Sequence, residues 1–172
     1  TTTVETGPNL SSVRTQGRQN HIRLQNWFLS NGLTMNDQKT LKCLFTLRPL
    51  HQSNDPGCVS FLGVTLDRGL TWFNHIEKLT NSLCSYVFLL RQLRYIVPES
   101  TLMLVYFGLI HSKLSYGILA WGHSVHLGRT FKIQRRAIRV IKGLAYDADC
   151  RQAFVQLGVL TCLLYTSDAA DY

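Results

Sequence analysis

The residues that decide the fold are VSFLGVTLDRGLTWFNHI, at positions 59–76. As far as Leu66, the apolar side chains are spaced as in a short β-strand. From Phe73 onwards the spacing changes to the 3.6-residue period of an α-helix. Asp67 and Gly69 lie between the two patterns, where an aspartate can bond nearby backbone and a glycine tolerates positive φ. The segment therefore predicts a strand that enters a long helix through a sharp turn.

A second predicted strand precedes this one, at positions 41–47, and a polar loop of residues 48–57 separates the two. We expect the strand at 58–66 to pair with it as an antiparallel hairpin. Gly63 lies inside the later strand, where glycine is unfavourable, so another group is expected to approach the backbone closely there. A strand edge beside a groove, followed by a basic helical segment, suits a protein that holds a polymer.

Most of the remaining chain has the period of helices. A first helix is predicted from Asn9 or Ser11 to about Ser30, where Gly32 ends it. Four more are predicted at 73–96, from Ser100 or Thr101 onwards, at about 126–142 and near 150–157. The predicted core positions are Ile76, Leu79, Leu83, Val87, Leu90 and Leu93 in the first of these four, and Leu104, Val105, Leu109 and Leu114 in the second. The predicted fold class is α+β: a small antiparallel β-hairpin with one helix, followed by a helical bundle, with no flexible linker between them.

The composition is that of a folded, basic protein. Of its 172 residues 45% are hydrophobic and 16% are charged, which excludes a disordered polar segment. The net charge is +8, from 18 Lys and Arg residues against 10 Asp and Glu residues. So basic a chain favours an anionic partner, either nucleic acid or an anionic membrane surface.

Several other classes of protein are disfavoured. The five cysteines are odd in number and lack CxxC spacing, and His123 and His126 have no further ligands nearby, so neither a disulfide framework nor a metal site is predicted. The first residues are polar, and the most hydrophobic window, 102–121, is interrupted by His111 and Lys113. We therefore expect a chain that works in a reducing compartment, is not secreted and has no membrane-spanning helix.

Four motifs follow one another along the chain. They are WFxxNGLTMNxxKT at 27–40, FLGV with LxWxxHI at 61–76, YGIxxWG at 116–122 and IQRRAIR at 133–139. In residue types, order and spacing, the chain from about Thr1 to Thr161 resembles the reverse transcriptases of non-LTR retrotransposons, and most of all the LINE-type, jockey-like group. The resemblance implies a fragment of an RNA-directed DNA polymerase that acts in the nucleus or the cytoplasm and has no membrane partner. Residues 1–70 would be the C-terminal part of the palm with the primer-grip hairpin, and residues 71–161 would be the helical thumb.

The same resemblance implies roles for single residues. Lys39 matches a lysine near the departing pyrophosphate, which makes it a candidate general acid; the plain alternative is a solvated lysine at a strand entrance. Phe61, Leu62 and Gly63 match the primer grip, and their alternative role is the packing of an edge strand. The tryptophan and the histidine of LxWxxHI are expected to hold the corner between hairpin and helix.

The metal-binding carboxylates of such an enzyme are not found in the sequence. Nucleotidyl transfer needs paired carboxylates that hold two divalent ions, and this chain has no adjacent pair of aspartates. In the family, an Ala-Asp-Asp motif directly precedes a threonine-rich strand like residues 1–4, so the catalytic pair is expected just upstream. The fragment alone is expected to be inactive and without a cofactor. Its parent is expected to use magnesium, with an RNA template, a DNA primer and the rest of the palm and fingers as partners.

The helix predicted at 126–142 carries the clearest charge pattern. It has a broad apolar face, and the remainder bears six cations with no acidic residue among them: Arg129, Lys132, Arg135, Arg136, Arg139 and Lys142. Because like charges repel each other, this face predicts an anionic partner. Phosphate contacts of this kind position a duplex without reading its sequence. A thumb helix lying along the template–primer duplex fits the pattern, and the plain alternative is a solvated basic face.

Two other functions stay open at this point. One is a non-catalytic, basic helical module that binds nucleic acid and derives from such an element; it would need the basic helix but neither Lys39 nor Gly63. The other is a helical module for a membrane surface or a protein partner, which a basic amphipathic helix also suits.

The C-terminal residues have a different character. Residues 162–172 resemble the read-through translation of a common sequencing adapter. The alternative is a genuine short polar terminus. The fold prediction therefore ends at Thr161.

Overall fold

The computed structural model describes residues 2–46 and 57–164. The chain forms two compact units, Thr1–Lys42 and Cys43–Tyr172. In the first unit, helix α1 spans Leu10–Ser30, and a short 3₁₀ turn spans Asp37–Lys39. As expected, Asn9 precedes α1 and Gly32, at φ +70°, follows its end. No side chain of α1 is buried, so the helix has no core of its own within this unit.

The second unit contains a β-hairpin and a set of helices. Strand β1 (Cys58–Phe61) pairs antiparallel with β2 (Val64–Asp67), in a register that runs from Cys58 opposite Asp67 to Phe61 opposite Val64. Leu62 and Gly63 form the turn between them at φ +47° and +79°. Positive φ at both positions is the geometry of a type I′ turn, whose twist matches that of the two strands it joins.

The predicted pairing of 41–47 with 58–66 was therefore wrong. Residues 41–46 form no strand, Leu47 lies outside the described residues, and the segment 58–67 folds back on itself. The reason is the two-residue turn, since Leu62 takes the left-handed conformation that asparagine or aspartate usually takes before glycine. Gly63 is a turn residue and not a strand-interior residue.

The helices follow the hairpin, and the first of them packs against β2. Their bounds are α2 (Phe73–Leu93), α3 (Glu99–Val105), α4 (Ser112–Ser115), α5 (Ile118–Trp121), α6 (Leu127–Lys142) and α7 (Arg151–Gln156). Helices α2 and α6 pack against each other through their buried faces. The predicted row on α2 is confirmed from Ile76 to Leu90, and Leu93 at the end of the helix is half-buried. Gly143, at φ +69°, ends α6 as expected. The predicted α+β class, a hairpin with a helical bundle, is thus observed.

The second predicted core row was wrong in part. Leu104 is 73% exposed, and the buried row is instead Leu102, Tyr106, Ile110 and Leu114. Residues Tyr106–His111 form a π-helical segment between α3 and α4, so one side chain in every four faces the core over three successive turns. A π-helical segment widens the spacing locally, and the 3.6-residue rule then assigns the wrong side chains to the core.

The C-terminal end of the described chain returns to α6. The side chain of Cys162 is fully buried, and its backbone N–H donates to Gln134 Oε1 at 2.9 Å. Gln134, itself fully buried, also donates through Nε2 to Tyr106 Oη and to the carbonyl oxygen of Leu160, each at 3.0 Å. The segment through Cys162 is therefore packed as part of the helical core.

Candidate nucleic-acid interface

Helix α6 has two faces of opposite character. One side is buried in the core and consists of Leu127, Thr130, Ile133, Gln134, Ala137, Ile138 and Ile141. At 100° per residue, all six predicted cations fall on the other side. No Asp or Glu occurs in α6. The structure thus brings Arg129, Lys132, Arg135, Arg136, Arg139 and Lys142 onto one continuous surface, which we call the basic face.

The C-terminal half of the basic face is engaged within the chain. Lys142 Nζ lies 2.8 Å from Glu99 Oε1, an ion pair with the first residue of α3. Arg139 Nε donates to the carbonyl oxygen of Ala148 at 2.7 Å. Arg136 donates to Tyr146 Oη at 3.1 Å and lies over that ring. These contacts use part of the hydrogen-bonding capacity that a phosphate would need.

The N-terminal half of the basic face is freer. Lys132 is exposed and forms no hydrogen bond, ion pair or ring contact with the residues that the structure describes. Arg129 is also exposed, and its guanidinium carbon lies 5.1 Å from the ring centre of Phe73, at the start of α2. The guanidinium of Arg135 lies over Phe131, one turn earlier on the same helix. Ring contacts of this kind leave the guanidinium hydrogens available for an anion.

The tip of the hairpin exposes two apolar side chains. Phe61 is 44% exposed and Leu62 is 73% exposed. A methyl group added at Gly63 would lie 3.6 Å from Tyr116 Cε1, which is an ordinary contact, so the positive φ and not the space requires glycine. The three residues predicted for the primer grip therefore form the end of β1 and its turn.

A buried carboxylate holds the corner between the hairpin and α2. Asp67 Oδ2 accepts hydrogen bonds from Thr71 N at 2.9 Å and Thr71 Oγ1 at 2.8 Å, and Oδ1 accepts from Trp72 N at 2.8 Å. Burial by itself would raise the pKa of Asp67, but these bonds outweigh it and lower the pKa below the usual 3.8. Trp72 takes a left-handed φ of +66° as the residue before α2. The turn predicted at 67–69 is thus stabilised by its own aspartate.

His75 holds the same corner from the helix side. Its Nδ1 accepts the backbone N–H of Thr65 at 3.3 Å, and its ring lies 5.7 Å from that of Trp121. Burial lowers the pKa of His75 below 6.5, which favours the neutral ring that this acceptor role requires. The structural role expected for this histidine is therefore observed.

Lys39 lies in the first compact unit, while the hairpin tip and the basic face lie in the second. It is exposed in the 3₁₀ turn, and its backbone N–H donates to Asn36 Oδ1 at 3.1 Å. The strand that was predicted to begin after Thr40 is not formed in residues 41–46. Asn36, the second asparagine of the NGLTMN sequence, thus caps the turn that carries Lys39.

The carboxylates of the described chain do not form a metal site. Asp147 and Asp149 border a cavity of about 830 Å³ between α6, α7 and the C-terminal segment. Phe131, Phe154 and Val159 give this cavity a largely apolar wall. Among residues 2–46 and 57–164, no group of three or more His, Cys, Asp or Glu side chains is placed to hold a metal ion.

Two side chains that stabilise the hairpin turn and the core around α6 were not identified from the sequence. The hydroxyl of Tyr116 donates to the carbonyl oxygen of Leu62 at 2.6 Å, across 54 residues of chain. Nothing local signals such a contact, although Tyr116 begins the YGIxxWG motif. Gln134 is different, because an amide in the middle of an apolar helix face is a visible sign of a buried hydrogen-bond network.

Comparison with protein-family models, with curated proteins and with solved structures found no match to this chain. Across the described residues, no helix combines the length and the apolar character needed to cross a membrane.

Proposed function

We propose that this chain is the palm-edge and thumb part of a non-LTR retrotransposon reverse transcriptase and that it holds the duplex of RNA template and DNA primer. The basic face of α6 is the observation that carries the proposal. Six cations share one side of a helix that contains no acidic residue, and the opposite side is anchored in the core. A rigid helix with this charge distribution suits a phosphate backbone, which presents regularly spaced negative charges.

The contacts of the basic face suggest which cations bind phosphate. Lys142 has Glu99 as a partner, and Arg139 is bonded to a backbone carbonyl. Arg129 and Lys132 have neither kind of bond among the described residues, and both are exposed. We therefore assign the main phosphate contacts to the N-terminal half of the face.

Binding of this kind would not depend on base sequence. Charged groups on a helix surface contact phosphates, whereas sequence is read at base edges in the grooves. The expected partner is an RNA–DNA hybrid of any sequence, together with the rest of the palm and fingers of the parent enzyme. In that enzyme Lys39 is proposed as the general acid for the departing pyrophosphate, and Phe61, Leu62 and Gly63 as the grip on the primer strand.

The test is binding of the whole chain to an RNA–DNA hybrid over a series of salt concentrations. Each phosphate contact adds about 0.9 to the slope of log affinity against log salt for B-form DNA. Replacing Arg129 and Lys132 by glutamate should therefore make this negative slope shallower by about 2 and weaken binding at low salt. The double reversal of Arg18 and Arg23, two exposed residues of α1, is the control because it changes the net charge equally.

The outcomes separate this function from the others. Equal weakening by the two double variants would mean that net charge alone drives binding, and the basic face would lose its role. Binding to anionic vesicles in preference to the hybrid would favour the membrane-surface module. A steep salt dependence that the Arg129/Lys132 variant alone flattens supports the proposal.

A further inference from the structure

The hydroxyl of Tyr116 makes one hydrogen bond with the tip of the hairpin. It donates to the carbonyl oxygen of Leu62 at 2.6 Å. The side chain is otherwise 55% exposed, and its ring covers Gly63. An exposed tyrosine usually directs its hydroxyl to water. The hydroxyl of Tyr116 instead holds the backbone of the turn.

The segment that carries Tyr116 is itself well anchored. The carbonyl oxygen of Tyr116 accepts from Trp121 Nε1 at 3.0 Å, and Trp121 is fully buried. Further along, Ser124 Oγ donates to the carbonyl oxygen of Thr71 at 2.9 Å. The hydroxyl of Tyr116 is therefore held from the helical core, while its acceptor belongs to the hairpin.

The acceptor lies in a strained backbone. Leu62 has φ +47°, a conformation that residues with a side chain avoid. Such a conformation persists where the surroundings over-determine it. The bond to its carbonyl oxygen orients the peptide of Leu62, and so limits the directions that the exposed side chains of the tip can take.

We propose that Tyr116 is the positioning residue of the hairpin tip. Its hydroxyl fixes the turn on the helical core, so that Phe61 and Leu62 meet a nucleic-acid strand in one conformation. The identity of the ligand, a nucleic-acid strand, rests on the proposed function, whereas the role of Tyr116 in fixing the hairpin tip does not depend on it. Tyr116 has no role in chemistry and acts through the turn.

The first arm of the test needs no nucleic acid. Tyr116→Phe removes only the hydroxyl, and Tyr95→Phe is the matched control, since Tyr95 is 82% exposed and its hydroxyl makes no hydrogen bond with a described residue. Amide hydrogen exchange of residues 61–65 should become roughly threefold faster or more in Tyr116→Phe. It should stay unchanged in Tyr95→Phe, and both variants should keep the helical circular dichroism of the original chain.

The second arm measures affinity for the hybrid in a double-mutant cycle with Leu62→Ala. Tyr116→Phe should weaken binding roughly threefold. If Tyr116 acts through the tip, the two changes together should cost less than the product of their separate effects. A residue that merely stabilised the fold would give independent effects, so additivity would overturn the proposal.

The two arms fail separately. Unchanged exchange of residues 61–65 in Tyr116→Phe overturns the positioning role whatever the affinities are. If the original chain does not bind the hybrid, the proposed function fails, and faster exchange at the tip still supports the fixing of the turn by Tyr116.

Discussion

Replacement of Asp67 by asparagine tests the corner between the hairpin and α2. The side chain is 8% exposed and accepts three hydrogen bonds, two from Thr71 and one from Trp72. Asparagine keeps one oxygen acceptor, but its NH₂ group would face a donor. At least one backbone N–H at the start of α2 therefore loses its partner.

The size of the effect follows from these contacts. The two N–H groups are only partly buried, so leaving one without an acceptor costs about 1 kcal/mol, the lower end of the range for buried groups. Losing a negative charge at the N-terminus of α2 adds about 0.3–1 kcal/mol. We expect Asp67→Asn to lower the free energy of unfolding by about 1–2 kcal/mol at pH 7.

The effect of Asp67 should also depend on pH. Its pKa is lower in the folded chain than the usual 3.8, so in acid the unfolded chain binds the proton more readily. The stability that the carboxylate contributes is therefore complete above that value and is lost as the pH falls through the folded pKa. The difference in unfolding free energy between Asp67→Asn and the original chain should become smaller from pH 7 to pH 3.

Urea unfolding at pH 7, 5 and 3, followed by circular dichroism and tryptophan fluorescence, measures this difference. Asp147→Asn is the control because Asp147 is exposed, and it should change stability by less than about 0.5 kcal/mol. A cost at pH 7 no larger than that of the control, or a difference that does not become smaller in acid, would refute the reasoning.

Three further predictions concern buried polar groups. Burial lowers the pKa of His75 below 6.5, so the stability that this residue contributes falls as the pH drops below that value. Asparagine keeps an acceptor for the Thr65 N–H but does not titrate. His75→Asn should therefore reduce the slope of unfolding free energy against pH between about 7 and 5. Gln134→Leu should cost about 2–4 kcal/mol in urea unfolding, because it removes the acceptor of the Cys162 N–H and the donor to two oxygens; a cost below about 0.5 kcal/mol would contradict the network. Burial raises the pKa of the Cys162 thiol to about 11, so iodoacetamide at neutral pH should modify exposed Cys84 first and reach Cys162 only on unfolding; equal labelling would contradict its burial.

The long helices were predictable because each carries its signal within its own sequence. The row from Ile76 to Leu90 faces one side at the period of a helix, and the buried face of α6 does the same. Gly143 marks the end of α6 because glycine, which has no side chain, takes positive φ without strain. These features need no knowledge of the neighbouring elements.

The hairpin and the helix at 99–115 were harder to predict. A leucine before Gly63 does not signal a two-residue turn, so the strand was paired with a distant segment. The π-helical segment changes which side chains face the core without changing the composition of the helix. In both places the local rule failed because it assumed a regular geometry that the chain does not take there.

For the candidate interface, the sequence by itself determined that six cations share one side of a helix, because helical geometry places them there whatever surrounds the helix. Only the tertiary structure decided that Lys142 meets Glu99, that Arg129 and Lys132 stay exposed, and that the Tyr116 hydroxyl reaches Leu62. Periodicity is a property of neighbouring residues along the chain. The availability of a charge or a hydroxyl depends on groups brought close in space, here from as far as 54 residues away.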